Sequence, residues 1–324
     1  MRLGLRGCVA YNAAVTAAPA RPRLLAIVNT AAGAGRTGRR WPDLARELGR
    51  CGLAYDSAFT REAGDAARLA RQAAVEGYAA VVAVGGDGTI NEVLNGLMAA
   101  AAAGYPPPAL GVLPSGTAQD FARSVGIPLQ ARAAVAYLTR AQPRPLDVGR
   151  IRFQTGAVHY FASYAGTGFD ALVAAKARAW RHLLRGAAPY VVGFFAVLHG
   201  YVPPCLELRL DDTAPRRVPR VTLFILANGP NYAGYLRIAP QARLDDGLLD
   251  LIVVRDAGRL ELLLHLPLAI SGRHLRHPKV TALRARSVDV AAGEPLPVQS
   301  DGEVVGTLPA RFDVLPGALR LLQA

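Results

Sequence analysis

The sequence predicts an α/β domain built on a three-layer parallel sheet, followed by a mostly antiparallel β-sandwich. Three observations carry this expectation. Apolar runs alternate with helical segments as far as Leu146, and glycine-bearing turns close those runs. From Asp147 onward, strand-like runs follow one another with turns between them. Alternating strands and helices imply right-handed crossovers and a parallel sheet covered on both faces.

In order, Leu24–Val28 reads as a short buried strand that ends in Asn29-Thr30-Ala31-Ala32-Gly33-Ala34-Gly35. A helix is expected over Trp41–Cys51, with Pro42 favoured in its first turn. A strand near Ala54–Thr60 precedes a helix near Gly64–Glu76. Val81–Val84 is the next strand, then a glycine loop, then a helix from Ile90 to about Ala102. Leu110–Leu113 leads into Pro114-Ser115-Gly116-Thr117 and a helix from Ala118. The second half has strand-like runs at Ile151–Phe153, Val158–Phe161, Leu206–Leu210, Val221–Ala227, Leu249–Val254, Ser287–Val290, Pro297–Gln299 and Phe312–Leu315. One helical stretch, Ala171–Gly200, is expected as an insertion, with Tyr190–Leu198 a buried helix. The expected division is therefore residues 1–22 as a disordered extension or misassigned start, 23–146 as the α/β domain and 147–324 as the sandwich, with the last residues returning to the first domain. A cleft between two such domains is the natural place for a site.

Composition narrows the class. With 52% hydrophobic and 19% charged residues the chain is globular rather than disordered. Its formal net charge of +13 points to anionic partners: nucleotide, nucleic acid or an anionic membrane surface. Cys8, Cys51 and Cys205 lack metal-ligand spacing, and an odd number of thiols fits a reducing compartment. The six histidines are scattered; His274 and His277 lie in a basic stretch and read as surface residues. Asn12 and Thr16 interrupt the N-terminal apolar stretch, which argues against a signal peptide. No run is long enough to cross a bilayer.

The most informative segment is Val81–Val84 followed by Gly85-Gly86-Asp87-Gly88-Thr89 and a helix carrying Glu92. Main-chain N–H groups and a helix N-terminus there converge on an anion, the usual way of holding phosphate. Asp87 can face a metal or a hydroxyl. The loop is neither a Walker A loop nor the Gly-x-Gly-x-x-Gly dinucleotide fingerprint.

Several further segments stand in a fixed order: Val28-Asn29-Thr30 with Gly33, Thr60 with Gly64-Asp65-Ala66, Gly85–Glu92, and Leu113-Pro114-Ser115-Gly116-Thr117 with Asp120-Phe121-Ala122-Arg123. Gly166–Ala171, Asn228-Gly229, Ala239-Pro240, Asp246-Gly247-Leu248-Leu249 and Asp301-Gly302-Glu303 follow. The ordered set resembles the bacterial diacylglycerol kinase-like lipid kinases, relatives of sphingosine and ceramide kinases, from Arg23 to the C-terminus. The glycine loop alone is shared with NAD kinases and phosphofructokinases.

The resemblance implies an ATP- and Mg2+-dependent kinase that phosphorylates a lipid hydroxyl, of diacylglycerol or a related lipid. It implies nucleotide contacts at Asn29, Thr30, Gly33, Thr60, Gly85, Gly86, Asp87, Gly88, Thr89, Glu92, Gly116 and Thr117. It implies a structural magnesium held by the Asp246 carboxylate and main-chain oxygens near Arg243 and Leu248, and a general base at Glu303, with Asp301 assisting or orienting and Asp87 the next candidate. Two positions depart from the family pattern: Thr30 stands where proline is usual, and Gln119 where asparagine is usual. The amphipathic segment Lys176–Arg185 sets Arg178, Arg181 and Arg185 opposite Trp180, Leu183 and Leu184, which suits an anionic membrane surface. The expected partners are thus a lipid substrate and, peripherally, the inner face of the cytoplasmic membrane, with no nucleic acid; homodimerisation is left open. Two other readings compete: an NAD kinase-like phosphotransferase acting on a soluble substrate, and a non-catalytic nucleotide- or lipid-binding regulator.

Overall fold

The structure, a computed structural model, describes residues 24–180, 183, 184, 186 and 188–324. The expected N-terminal extension lies outside the described residues, as do Arg181 and Arg185 of the basic helical face.

The first half alternates as its sequence pattern dictates. The elements are β1 (Leu24–Val28), α1 (Arg36–Arg50), β2 (Tyr55–Phe59), α2 (Asp65–Val75), β3 (Ala80–Gly85), α3 (Asp87–Ala102) and β4 (Ala109–Pro114). Two short helices follow, α4 (Asp120–Ser124) and α5 (Ala131–Arg140). The strands pair in parallel in the order β2-β1-β3-β4. Alternate residues of β1 serve opposite faces: Leu25 and Ile27 pack with α2 and α3, while Leu24, Ala26 and Val28 pack with α1 and α5. Every residue of β1, β3 and β4 is therefore buried, as a two-sided sheet requires.

Helix α1 begins earlier than expected, at Arg36 instead of Trp41. Its buried stripe Thr37, Trp41, Leu44 and Leu48 keeps helical spacing from the first turn, so Pro42 sits inside the helix. The sequence reading missed this because it took Pro42 as the first-turn marker.

The second half contains β5 (Gln142–Phe153), β6 (Val158–Phe161), β7 (Tyr164–Gly168), α6 (Phe169–Trp180), α7 (Ala188–Gly200), β8 (Leu206–Leu210), β9 (Arg216–Val218) and β10 (Val221–Ala227). It continues with β11 (Leu249–Arg255), α8 (Arg259–Ile270), β12 (Val280–Ala285), β13 (Ser287–Ala292), β14 (Pro297–Ser300), β15 (Glu303–Thr307) and β16 (Ala310–Gln323). One antiparallel sheet runs β12-β11-β10-β7-β14-β15. The other sheet continues from the first half in the order β4-β16-β13-β8-β9, with β5 and β6 also joined through β16. Ile151, Phe161, Phe224, Leu251, Val288 and Phe312 fill the space between the two sheets, which makes this half a β-sandwich.

Strand β16 is longer than the expected Phe312–Leu315. Its first part pairs with β13, and Leu321 pairs in parallel with Leu110 of β4. Pro316-Gly317, which reads as a stop signal, is a bulge: the register against β5 shifts between Leu315 and Leu319, and Gly317 N–H donates to Asp147 Oδ1 at 2.7 Å.

Two further corrections concern helices. The stretch Ala171–Gly200 is two helices, α6 and α7, and α8 is a third that its mostly apolar sequence concealed. Helix α7 is not a buried helix: Val191 and Phe195 are exposed while Val197 and Leu198 are buried. His274 is also not on the surface; it is buried with Nε2 3.0 Å from the Ile238 carbonyl.

Candidate active site

The turns that close β1, β3 and β4 meet at one end of the parallel sheet, where open α/β sheets bind ligands. Asn29 Nδ2 donates to Thr89 Oγ1 at 3.0 Å, which joins the first turn to the glycine loop. The glycine loop and the Ser115-Gly116-Thr117 turn touch backbone to backbone. A Cβ on Gly116 would stand 2.4 Å from Gly86 Cα, so neither loop has room for a side chain there. A Cβ on Gly33 would stand 2.6 Å from the Ser115 carbonyl oxygen, at a φ of +60° that already favours glycine. Thr37 Oγ1 donates to Ser115 Oγ at 2.7 Å in a buried pair. The sequence reading missed Thr37, which lay outside any motif.

Thr30, Gly88 and Thr117 are exposed on this wall, and Gly85 is buried beneath it. Thr60 is held at the end of β2 by its N–H to the Val28 carbonyl, at 3.0 Å. Beside it is a cavity of about 460 Å3 lined by Phe59, Arg61, Glu62, Asp65, Arg68 and Leu69. Glu92 Oε2 accepts the Ala66 N–H at 3.2 Å, which ties α3 to the first turn of α2.

Three carboxylates gather behind this wall. Asp87 accepts the Gln119 N–H at 2.7 Å and the Phe121 N–H at 3.1 Å, so it fixes the backbone that starts α4. Burial pushes its carboxyl up from the ordinary range, against those two donors. Asp120 is 2% exposed and accepts the Gly234 N–H at 2.6 Å. Burial raises the Asp120 carboxyl to about 7, and the charges of Asp87 and Asp301 act in the same direction. Sequence reading had Asp120 only as part of a motif. Its proximity to Asp301 depends on how the two halves meet, which no local pattern reveals.

Asp301-Gly302-Glu303 is the turn between β14 and β15, with φ of +46° at Asp301 and +87° at Gly302. Asp301 accepts four hydrogen bonds, from Asn91 Nδ2 at 2.7 Å and from the N–H groups of Ala162, Ser163 and Tyr164 at 3.0 Å each. A carboxylate this fully used is an anchor for the turn. Burial still pushes it upward, with these donors pulling the other way. Glu303 is exposed at the start of β15. Tyr190 Oη donates to the Gly302 carbonyl at 3.1 Å, so α7 lies against the turn. Close by, Asp170 takes Gln299 Nε2 at 2.9 Å and Tyr232 Oη at 3.2 Å on one oxygen, while its other oxygen is buried without a partner. Burial raises Asp170 to about 7.

Residues 23–151 match the family described as Diacylglycerol kinase catalytic domain, and residues 162–323 match the YegS C-terminal NAD kinase beta sandwich-like domain. The diacylglycerol kinase of Staphylococcus carnosus (strain TM300) is 31% identical over 90% of this chain and 92% of its own length. That of Staphylococcus aureus (strain MRSA252) is 31% identical over 90% of this chain and 89% of its own. The chain belongs to the diacylglycerol kinase family.

Membership makes the protein a lipid kinase. Solved structures support the fold: a diacylglycerol kinase from Bacillus anthracis str. Sterne superposes with a TM-score of 0.70 at 20% identity, covering 94% of this chain and 97% of that one. A second structure from the same strain reaches 0.75 at 21% identity, with the same coverage.

In this kinase the 243–248 turn is held from the domain junction. Asp147 Oδ2 accepts the Gly247 N–H at 2.6 Å, and Asp246 Oδ1 accepts the Leu248 N–H at 3.1 Å. Arg243 is exposed and pairs with Asp245 at 3.1 Å, while the Arg284 guanidinium pairs with Asp246 and reaches Asp250 at 3.5 Å. Asp250 Oδ2 is buried without a hydrogen bond. The donors are all hard oxygens, which fit a magnesium ion. Arg284 already offers them one positive charge.

Proposed function

We propose that the protein transfers the γ-phosphoryl group of ATP to the hydroxyl of diacylglycerol or a related lipid, with Mg2+ required. The observation that supports this most directly is the hydrogen bond from Asn91 Nδ2, just after the glycine loop, to Asp301 Oδ2 of the acidic turn at 2.7 Å. It brings the two segments on which the proposal rests next to one another. A triphosphate lies on the Asn29–Gly33, Gly85–Thr89 and Gly116-Thr117 turns, whose N–H and hydroxyl groups supply donors. Thr60 and the cavity beside it receive the rest of the nucleotide.

Glu303 accepts the proton of the lipid hydroxyl as that oxygen bonds to the γ-phosphorus and the bond to the β,γ-bridging oxygen breaks. Asp301 fixes the turn that carries Glu303. A divalent ion, when bound, neutralises charge; the Asp246 carboxylate with main-chain oxygens of Arg243 and Leu248 would hold the structural one. The lipid is met at an anionic membrane surface with which the enzyme associates peripherally. Exposed Lys176, Arg178 and Trp180 support that reading, and no described helix is long and apolar enough to cross a membrane. The NAD kinase-like alternative draws on the shared glycine loop and on the fold of the second half.

Incubation with [γ-32P]ATP, Mg2+ and mixed micelles of diacylglycerol, sphingosine, ceramide or phosphatidylglycerol tests the proposal. Labelled phosphatidic acid is the expected product. Labelling of NAD and of none of the lipids would overturn it.

A further inference from the structure

The geometry points to a zinc-class metal site formed by Glu261, His265 and His277, residues that belong to none of the phosphate loops, the acidic turn or the 243–248 turn. One carboxylate oxygen and two imidazole nitrogens lie within 4.8 Å of one another. Among the described residues, no other three His, Cys, Asp or Glu side chains bring ligand atoms this close.

The fold assembles the three from two segments. Glu261 and His265 are one turn apart on α8, a spacing at which helical side chains meet. His277 follows the short helical turn Arg273–Arg276, just before β12. The rings of His265 and His277 are 4.6 Å apart between centroids, and His277 Nε2 stands 3.8 Å from Glu261 Oε1. Around a tetrahedral zinc ion with bonds of about 2.1 Å, ligand atoms stand roughly 3.4 Å apart. Side-chain rotation alone closes the cluster to that spacing. Glu261 and His277 are half-buried, which leaves room for water to complete the coordination.

The neighbours decide which atoms are offered. Glu261 Oε2 accepts the Gly258 N–H at 3.0 Å and Lys279 Nζ at 2.6 Å, which leaves Oε1 facing His277. Lys279 is a competing cation, but its Nζ also donates to the Asp256 carbonyl at 2.8 Å and keeps that partner when Glu261 turns to an ion. The Lys279 N–H donates to His277 Nδ1 at 3.2 Å, so the neutral ring carries its proton on Nε2. Ligation through Nε2 transfers that proton to Nδ1 by way of water and gives up this long bond. Two imidazoles and a carboxylate suit zinc and its transition-metal neighbours, whereas magnesium takes oxygen ligands. Leu260 and Leu264 of α8 are exposed, so apolar packing holds only part of this helix. The ion adds a staple between α8 and the start of β12.

Calorimetric titration of Zn2+ into the untagged full chain, with Mg2+ in excess, tests the inference. One Zn2+ per chain should bind, with a Kd on the order of 10 μM or tighter. His265→Ala removes a ligand and none of the hydrogen bonds named above. It should weaken binding by at least about the tenfold that even the loss of an outer-shell partner costs. Co2+ should give wild type a visible absorption band that Zn2+ quenches and that His265→Ala lacks. Zn2+ should also slow amide hydrogen exchange across α8 in wild type and not in the variant. A wild-type chain that takes up no Zn2+ would overturn the inference. So would His265→Ala with wild-type affinity and stoichiometry, because other residues would then hold the ion. Displacement of Zn2+ by Mg2+ would overturn the assignment of metal class, and the wild-type titration and Co2+ spectrum decide the matter even where the variant fails to fold.

Discussion

Asn91 Nδ2 donates to Asp301 Oδ2 at 2.7 Å, across 210 residues of sequence. Asn91 is in the first two turns of α3, just after the glycine loop, and Asp301 starts the acidic turn. One hydrogen bond thus sets the glycine loop and the acidic turn in a common frame. Asn91→Ala should lower kcat by about tenfold or more and cost roughly 1–3 kcal/mol of stability, because a buried carboxylate loses a donor. Steady-state kinetics and denaturant titration check both; an unchanged kcat would mean that the frame is held elsewhere.

Glu303→Gln keeps size and hydrogen bonding but removes the basic oxygen. If Glu303 takes the lipid proton, kcat should fall on the order of 10²–10⁴ with ATP affinity nearly unchanged. Asp301→Asn, measured alongside, should lower stability as well, since it replaces an acceptor of four donors.

Gly116→Ala places a methyl against Gly86 Cα, where the ideal distance is 2.4 Å. Both contacting groups are backbone, so the two loops must part. ATP affinity should weaken at least tenfold in a nucleotide titration, while the sandwich half stays intact by near-UV circular dichroism.

A divalent ion held at the 243–248 turn would compete with Arg284, which pairs with Asp246 and reaches Asp250. Removing Arg284 with Arg284→Ala should lower Tm without metal and enlarge the rise in Tm on adding Mg2+, by mass action on the folded state. Asp246→Ala should abolish that rise. Thermal shifts with EDTA and with graded Mg2+ give the answer.

The Asp170 carboxyl, near 7 when folded, is near 3.9 when unfolded. Between about pH 4 and 7 the folded chain keeps a proton that the unfolded chain has lost, so this group makes stability fall as pH rises. Asp170→Asn removes that slope. The Tm of the variant minus that of wild type should become steadily more positive from pH 4.5 to 7. A difference independent of pH would show that Asp170 is ionised in the fold.

The meeting of the strand-end turns was legible in the sequence because its determinants are local: apolar runs ending in Gly33, Gly85-Gly86 and Gly116 state both strand ends and turns. Asp301 and Glu303 were singled out only through resemblance, since an Asp-Gly-Glu turn has no local mark of chemistry. Asp120 and Asn91 were not legible as site residues. Each works through a partner that the fold brings from far away, Gly234 for one and Asp301 for the other. Helix α8 and the second part of β16 were missed for different reasons. The first has no polar face to give it a period, and the second is masked by the Pro316-Gly317 bulge.

The strand β16 was described above as pairing with both β13 and β4, and this determines where the chain can be divided. The two halves share a strand, so the boundary in sequence is not a boundary in structure. A fragment ending near residue 151 would leave the inner edge of β4 without β16, presenting unpaired N–H and C=O groups along a strand rich in valine and leucine. Such a fragment should associate with itself or recover only when the second half is supplied in trans. For the same reason, rotation of one half against the other would strain the pairing of Leu321 with Leu110 that carries the sheet from one half into the other.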